Sequence, residues 1–402
     1  MVLLAASAAL VAGSAAGCAG QPSPEPAEPR PGAARVAPTA DVQAAVDDLL
    51  SRRVDAVAAG DPAAWEATIA SGDPDLGARE QQAFAGTQAL PLDQWTPTVV
   101  ASRPAADGGA RATVEIAYRL SGDDRPARVR TVLDLVRAGN GLVVAGSTSS
   151  PVPLWEVAGV TAVAGARSWA VGDVSADSLA SYAAEADAAA QAVADLTPDG
   201  LAPALSVVVV QSWDQARSLV GAGAAATGLA ALATRLEAPG VEAGPTRVVV
   251  NSAVLSGLEP ATRGAVLAHE AFHVAWRDLG PVPLWLSEGL ADHAGYRGSG
   301  VPVERAVSGF LASVRADGPP PALPADGDFA PGPRATAAYE GAHLAVRLLV
   351  DRYGEQAVLD VYRRVATEGA ASTAEVLAEE LGTTVEQLTA EWQQEAQRRA
   401  GG

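Results

Sequence analysis

The stretch "LAHEAFHVAW", residues 267–276, holds two of the four histidines in a 402-residue chain, four positions apart, with a glutamate directly after the first. It sits inside "SGLEPATRGAVLAHEAFHVAWRDLG", residues 256–280. There Ser256 with Glu259 reads as a capping box, Pro260 suits a first turn, and Gly280–Pro281 marks a stop. A helix of about four turns is expected, with Leu267, Phe272 and Trp276 as its apolar surface. On such a helix His269 and His273 project from one face, a turn apart. Two imidazoles so placed can chelate one Zn²⁺, at about 2.0–2.1 Å each. Glu270, next to the first imidazole, would lean over the open position of the metal and accept a proton from water there.

Three protein ligands are the usual complement of a catalytic zinc site, so one is still wanted. "PLWLSEGLADH", residues 283–293, supplies a candidate in Glu288, after 14 intervening residues, 274–287. If Glu288 lies on a second helix packed against the first, its carboxylate completes a His, His, Glu shell. Asp292, one turn on, can then accept a hydrogen bond from the outer nitrogen of a ligand histidine and set its tautomer. His293 is expected at the surface beside it. "HEAFH" followed by "WLSEGLAD" resembles the gluzincin metallopeptidases, and among them the bacterial families called peptidase MA-like. The resemblance implies a zincin-like fold, zinc held by His269, His273 and Glu288, Glu270 as general base, and peptide bonds as substrate. It also implies a tyrosine or histidine on a later helix that stabilises an oxyanion, and Tyr339 in "ATAAYEGAHLAVRLLVDRYG", residues 335–354, is the candidate, with His343 one turn further.

Around these motifs the pattern is mixed. "SWAVGDV" (168–174), "LSVVVVQS" (205–212) and "TRVVVN" (246–251) read as strands, separated by the alanine-rich helix "DSLASYAAEADAAAQAVADL" (177–196) and a helix from Trp213. Helices alone follow the metal motif, with Ser/Thr-x-x-Glu caps expected at Ser372 with Glu375 and Thr383 with Glu386. Residues 151–402 are therefore expected to form the metallopeptidase-like domain, a mixed α/β lobe followed by a helical lobe. An extended substrate could add to a strand edge, for which "TRVVVN" is the candidate. The proline-rich loop 318–334 reads either as a cleft wall or as a bare connector.

Upstream, residues 41 to about 70 carry helical periodicity, broken at Gly60-Asp61-Pro62. Alternating segments follow at 95–103, 110–120, 127–139 and 141–149, with turns such as "SGDD" between them. Helices before an antiparallel meander resemble NTF2-like or cystatin-like α+β domains, so residues 41–150 are expected to form a small accessory domain. The fold class expected for the whole chain is α+β.

Residues 2–16 form a short apolar run, too short for a membrane span, and "AAGCAG" follows with the sole cysteine, Cys18. This resembles a bacterial lipoprotein signal peptide covering residues 1–18, with Cys18 acylated. A plain secretory signal is the alternative; either implies export, and lipidation implies anchoring on the outer face of the cytoplasmic membrane. The proline-dense segment 19–40 reads as an extended tether. One cysteine excludes intramolecular disulfides. A net charge of −19, from 28 basic and 47 acidic residues, excludes nucleic acid as an expected partner. The expectation is thus an extracytoplasmic zinc peptidase acting on a protein or peptide. The alternative is a non-catalytic cell-surface lipoprotein with a structural or vestigial zinc site and a ligand-binding N-terminal domain.

Overall fold

A computed structural model describes residues 40–106, 108–196, 204–220, 229–235 and 243–401. The expected signal peptide with Cys18, and the tether as far as residue 39, lie outside them; Ala40, its expected last residue, opens the first helix. The fold is α+β, and among the described residues no helix is long and apolar enough to cross a membrane.

The chain opens with α1 (Ala40–Ala59), α2 (Pro62–Glu66) and α3 (Pro74–Ala89). Asp61 and Asp73 start the second and third of these, each accepting two backbone N–H groups ahead of a proline in the first turn. Four strands follow as an antiparallel meander: β1 (Leu92–Pro104), β2 (Ala110–Leu120), β3 (Ala127–Ala138) and β4 (Gly141–Ser150). Burial alternates along β2 and β3, so every second side chain of these two central strands points into one core.

A second sheet has the order β5-β6-β7-β9-β8, from β5 (Thr161–Ala164), β6 (Trp169–Gly172), β7 (Ser206–Val210), β8 (Ala231–Arg235) and β9 (Thr246–Asn251). β6, β7 and β9 run parallel, and the two outer strands are antiparallel to their neighbours. The parallel step from β6 to β7 is made by α4 (Ala176–Leu196), and α5 (Trp213–Val220) follows β7. "TRVVVN" is therefore an interior strand; the edge beside the metal motif, among the described residues, is β8. Both faces of β9 are covered, which explains its unbroken Val-Val-Val run: alternation with polar residues marks only sheets with one wet face.

Alternation along β7 and β9 divides two cores. Val207, Val209, Val248 and Val250 face α4 and the helices that follow, while Val208, Val210 and Val249 face the meander. Trp155, Tyr118 and Leu154 belong to that second cluster together with Trp213 and Leu232. The N-terminal α+β layer therefore shares a continuous apolar core with one face of the second sheet instead of hanging free of it.

The remainder is helical: α6 (Ser252–Leu255), α7 (Pro260–Ala275), α8 (Leu284–Tyr296), α9 (Val303–Ala306), α10 (Ser308–Asp317), α11 (Ala335–Tyr353), α12 (Glu355–Glu368), α13 (Thr373–Leu381) and α14 (Val385–Gly401). Two of the three expected caps fall elsewhere. Ser256 ends α6, a turn started by Asn251, and α7 begins at Pro260 behind Glu259, with no side-chain cap. Thr384 and Gln387 form the reciprocal box of α14, at 3.0 and 3.2 Å, one residue later than Thr383 and Glu386. Ser372 does stand at the N-cap of α13, but its Oγ donates to the Gly369 carbonyl and makes no capping bond.

α7 and α8 cross at Gly295, where a Cβ would stand 2.4 Å from the Ala265 carbonyl oxygen. α8 and α11 cross at Gly289, where it would stand 2.6 Å from the Ala342 carbonyl oxygen. Both approaches require the missing side chain. They draw α7, α8 and α11 into one close-packed layer around the metal motif.

Candidate metal centre

α7 is buried along nearly its whole length, with Leu267, Ala271 and Phe272 all 1% exposed or less. Phe272 stacks on Trp276 at 5.5 Å, and Tyr362 of α12 meets the edges of both at 5.7 and 5.2 Å. This apolar packing fixes the rotation of the helix, and with it the direction of His269 and His273. α8 then presents Glu288 and Asp292 to the same point.

The three expected ligand atoms converge. The Nε2 atoms of His269 and His273 lie 3.1 Å apart. Glu288 Oε2 stands 3.2 Å from the first and 3.4 Å from the second. Bonds of 2.0–2.1 Å to one tetrahedral ion put ligand atoms about 3.3 Å apart, so this triangle is the size an ion needs. Both Glu288 oxygens are buried and neither accepts a well-directed hydrogen bond. A buried carboxylate without a donor, facing two imidazole nitrogens, fits a cation in their midst. His269, His273 and Glu288 can therefore hold a metal ion.

Asp292 Oδ1 lies 2.8 Å from His269 Nδ1 and accepts its N–H, so that Nε2 is the nitrogen turned toward the ion site. Burial opposes charge on His269, but the hydrogen bond to Asp292 and the facing carboxylate of Glu288 outweigh it and hold its pKa well above the usual imidazole value. Burial likewise raises Glu288, yet the facing imidazoles of His273 and His269 pull its carboxyl down to about 2. A proton on His269 thus balances part of the carboxylate charge, and a divalent cation would displace it. Asp292→Asn, which keeps the size but loses the charge, is expected to weaken metal affinity about 10–100-fold by competition titration. An unchanged affinity would show that Asp292 is not what orients His269.

Glu270 is 1% exposed, and its Oε2 accepts the backbone N–H of Ala233 on the edge strand β8, at 2.6 Å. Burial raises its pKa; His269 and His273 oppose the rise, and Glu288 adds to it. Its carboxylate therefore stands within electrostatic reach of all three ligands without being one of them. Tyr339, on α11, is buried with its ring edge-on to Phe329 at 4.9 Å. Burial and the negative charges of Glu288, Asp292 and Glu270 raise its pKa, so the phenol keeps its proton. Phe329 belongs to loop 318–334, which is tied down: Asp326 Oδ1 accepts the N–H of Leu284 at the start of α8, at 2.9 Å. The loop is thus a wall against Tyr339 and not a bare connector.

His293 is buried, not at the surface. It meets Glu355, the first residue of α12, at 3.0 Å. On a helix buried all round, adjacent positions face different neighbours, and both were core here. Sequence reasoning also missed two contributions. The Ala233 amide carries no side-chain signature. Half-buried Tyr296 of α8 meets the buried ring of His343 on α11, ring centres 5.2 Å apart.

Burial, against a smaller opposing pull from Asp292, pushes His343 down to about 4. A lowered folded-state pKa means the unfolded chain takes up the proton first on acidification. Stability is therefore lost as pH falls from about 6.5 toward about 4, by roughly 3 kcal/mol at 1.36 kcal/mol per pH unit. Urea unfolding of His343→Asn is expected to lose less stability between pH 7 and pH 4 than the wild-type chain; equal losses would contradict a buried neutral imidazole.

No family model matches the chain, and no curated protein sequence matches it.

Proposed function

We propose that the chain is a zinc-dependent peptidase of the gluzincin, peptidase MA-like type, with residues 151–402 as its zincin-like domain. The observation that carries this reading is the position of Glu270: a buried carboxylate beside the His269–His273–Glu288 triangle, outside it, with its pKa raised. A purely structural ion has no use for such a base. Bound among the three ligands, Zn²⁺ would act as a Lewis acid that polarises a carbonyl and acidifies a water molecule. The chain supplies the rest. Glu270 takes a proton from the attacking water and hands it to the leaving amine. The Ala233 amide holds the Glu270 carboxylate in place meanwhile. Tyr339, kept protonated, donates to the oxygen on which negative charge develops. An extended peptide laid along the outer edge of β8 would run past Glu270, as main-chain pairing to a sheet edge requires.

The N-terminal signature around Cys18 supports an exported, lipid-anchored enzyme acting on protein or peptide outside the cytoplasm. Removal of metal tests the chemistry. Dialysis against 1,10-phenanthroline is expected to abolish cleavage of a peptide library, and added Zn²⁺ to restore it. Cleavage that survives complete metal removal, or a zinc-loaded chain that cleaves nothing, would sink the peptidase reading.

A further inference from the structure

A second polar site lies in the N-terminal layer, away from the metal centre. Between α1, α3 and the meander is a cavity of about 220 Å³. Trp65, Trp95 and Trp155 wall it as a chain of edge-on rings, 6.1 and 6.2 Å between centres. The guanidinium of Arg53 lies 3.6 Å over the Trp65 ring, and its Nη2 holds Glu80 at 2.6 Å. Arg53 is only 7% exposed.

Two donors here have nothing to donate to. Arg53 Nη1 and Trp95 Nε1 are both buried, and no acceptor among the described residues reaches either. An unmet buried donor is costly enough that folded proteins rarely leave one, and here two belong to residues of one cavity. The acceptors nearby are already engaged. Glu80 takes Arg53 and the Ser147 hydroxyl, and Glu156 takes the Ser149 hydroxyl at 2.9 Å.

We propose that this cavity binds a small flat ring compound that presents a carbonyl-type oxygen, neutral or singly anionic, to Arg53 Nη1 and Trp95 Nε1. Size supports it: a dry cavity of about 150 Å³ admits benzene, so this one takes a ring with one compact substituent. The walls support it, since indole edges and faces favour a planar partner. So does hydrogen-bond chemistry. In the lining Arg53 and Arg79 stand against Glu80 and Glu156, so charge is balanced, and the two unmet groups are both donors, for which a cation brings no acceptor.

The test is calorimetric titration of the full chain with benzoate, benzamide and benzamidinium. Saturable binding of benzoate or benzamide, with benzamidinium at least tenfold weaker, is the expected result. Trp95→Phe keeps a ring and removes only the N–H, and should weaken that binding about fivefold, the worth of one neutral hydrogen bond. Circular dichroism and the melting temperature establish that the variant is folded. The proposal is overturned by absence of saturable binding to every probe at 10 mM. It is equally overturned if benzamidinium binds as tightly as the others, or if the folded Trp95→Phe chain binds unchanged.

Discussion

Glu270→Gln is expected to lower peptide cleavage by about 10²–10⁴-fold, the usual contribution of a positioned general base, with zinc content unchanged. The substitution is close to isosteric, and its amide oxygen can still accept the Ala233 N–H that Glu270 accepts at 2.6 Å. What it removes is the ability to take a proton. Glu270 is not one of the three converging ligand atoms, so metal affinity should hold. The pattern is the diagnostic: full metal, lost turnover, little change in KM. Lost zinc would instead make Glu270 a ligand. Unaltered turnover would leave a metal site with no hydrolytic role, as in the non-catalytic alternative.

Asp123→Ala is expected to destabilise the chain by about 3–5 kcal/mol, the cost of stranding a buried charge. Asp123 sits in the β2–β3 turn, and its Oδ2 accepts Arg247 Nη2 of β9 at 2.6 Å. Both side chains are at most 2% exposed. Arg247 Nη1 also donates to the Tyr118 hydroxyl at 2.9 Å. Next to this pair, Asp124 holds Arg277 at 2.9 Å and Arg125 reaches Asp278 at 3.3 Å, just past the end of α7. The same turn thus joins the meander both to the second sheet and to the segment behind the metal helix. Because an apolar replacement of a whole buried pair is often neutral, Asp123→Ala with Arg247→Met should recover most of the loss. Urea unfolding of the four chains in that cycle decides the matter. Equal, additive losses would mean that the pair is not coupled.

The metal helix and its partner were legible because their chemistry lies on side chains at helical spacing. His269 and His273 share a face at four residues, and Glu288 with Asp292 repeat the spacing on α8. The caps were less legible. Thr383 and Thr384 are equally good as isolated letters, and only the backbone path shows that Thr384 pairs with Gln387. His293 was misplaced for a related reason. A histidine beside an aspartate expected at the site reads as solvent-facing until a helix such as α12 covers it with Glu355.

By itself the sequence determined the residue kinds and their local order: helix α7 with its two imidazoles and Glu270 beside them, the α+β class, and a meander ahead of strands that alternate with helices. These depend on periodicity, turn chemistry and spacing, all of which act over a few residues. Only the tertiary structure decided which groups from distant segments meet. It put β8, not "TRVVVN", at the sheet edge and aimed the Ala233 amide at Glu270. It closed three ligand atoms to between 3.1 and 3.4 Å across two helices that touch at Gly295. It also fused the meander to the second sheet through one core and the Asp123–Arg247 pair. Contacts of that kind arise from packing between elements far apart in the chain, where no local pattern records the partner.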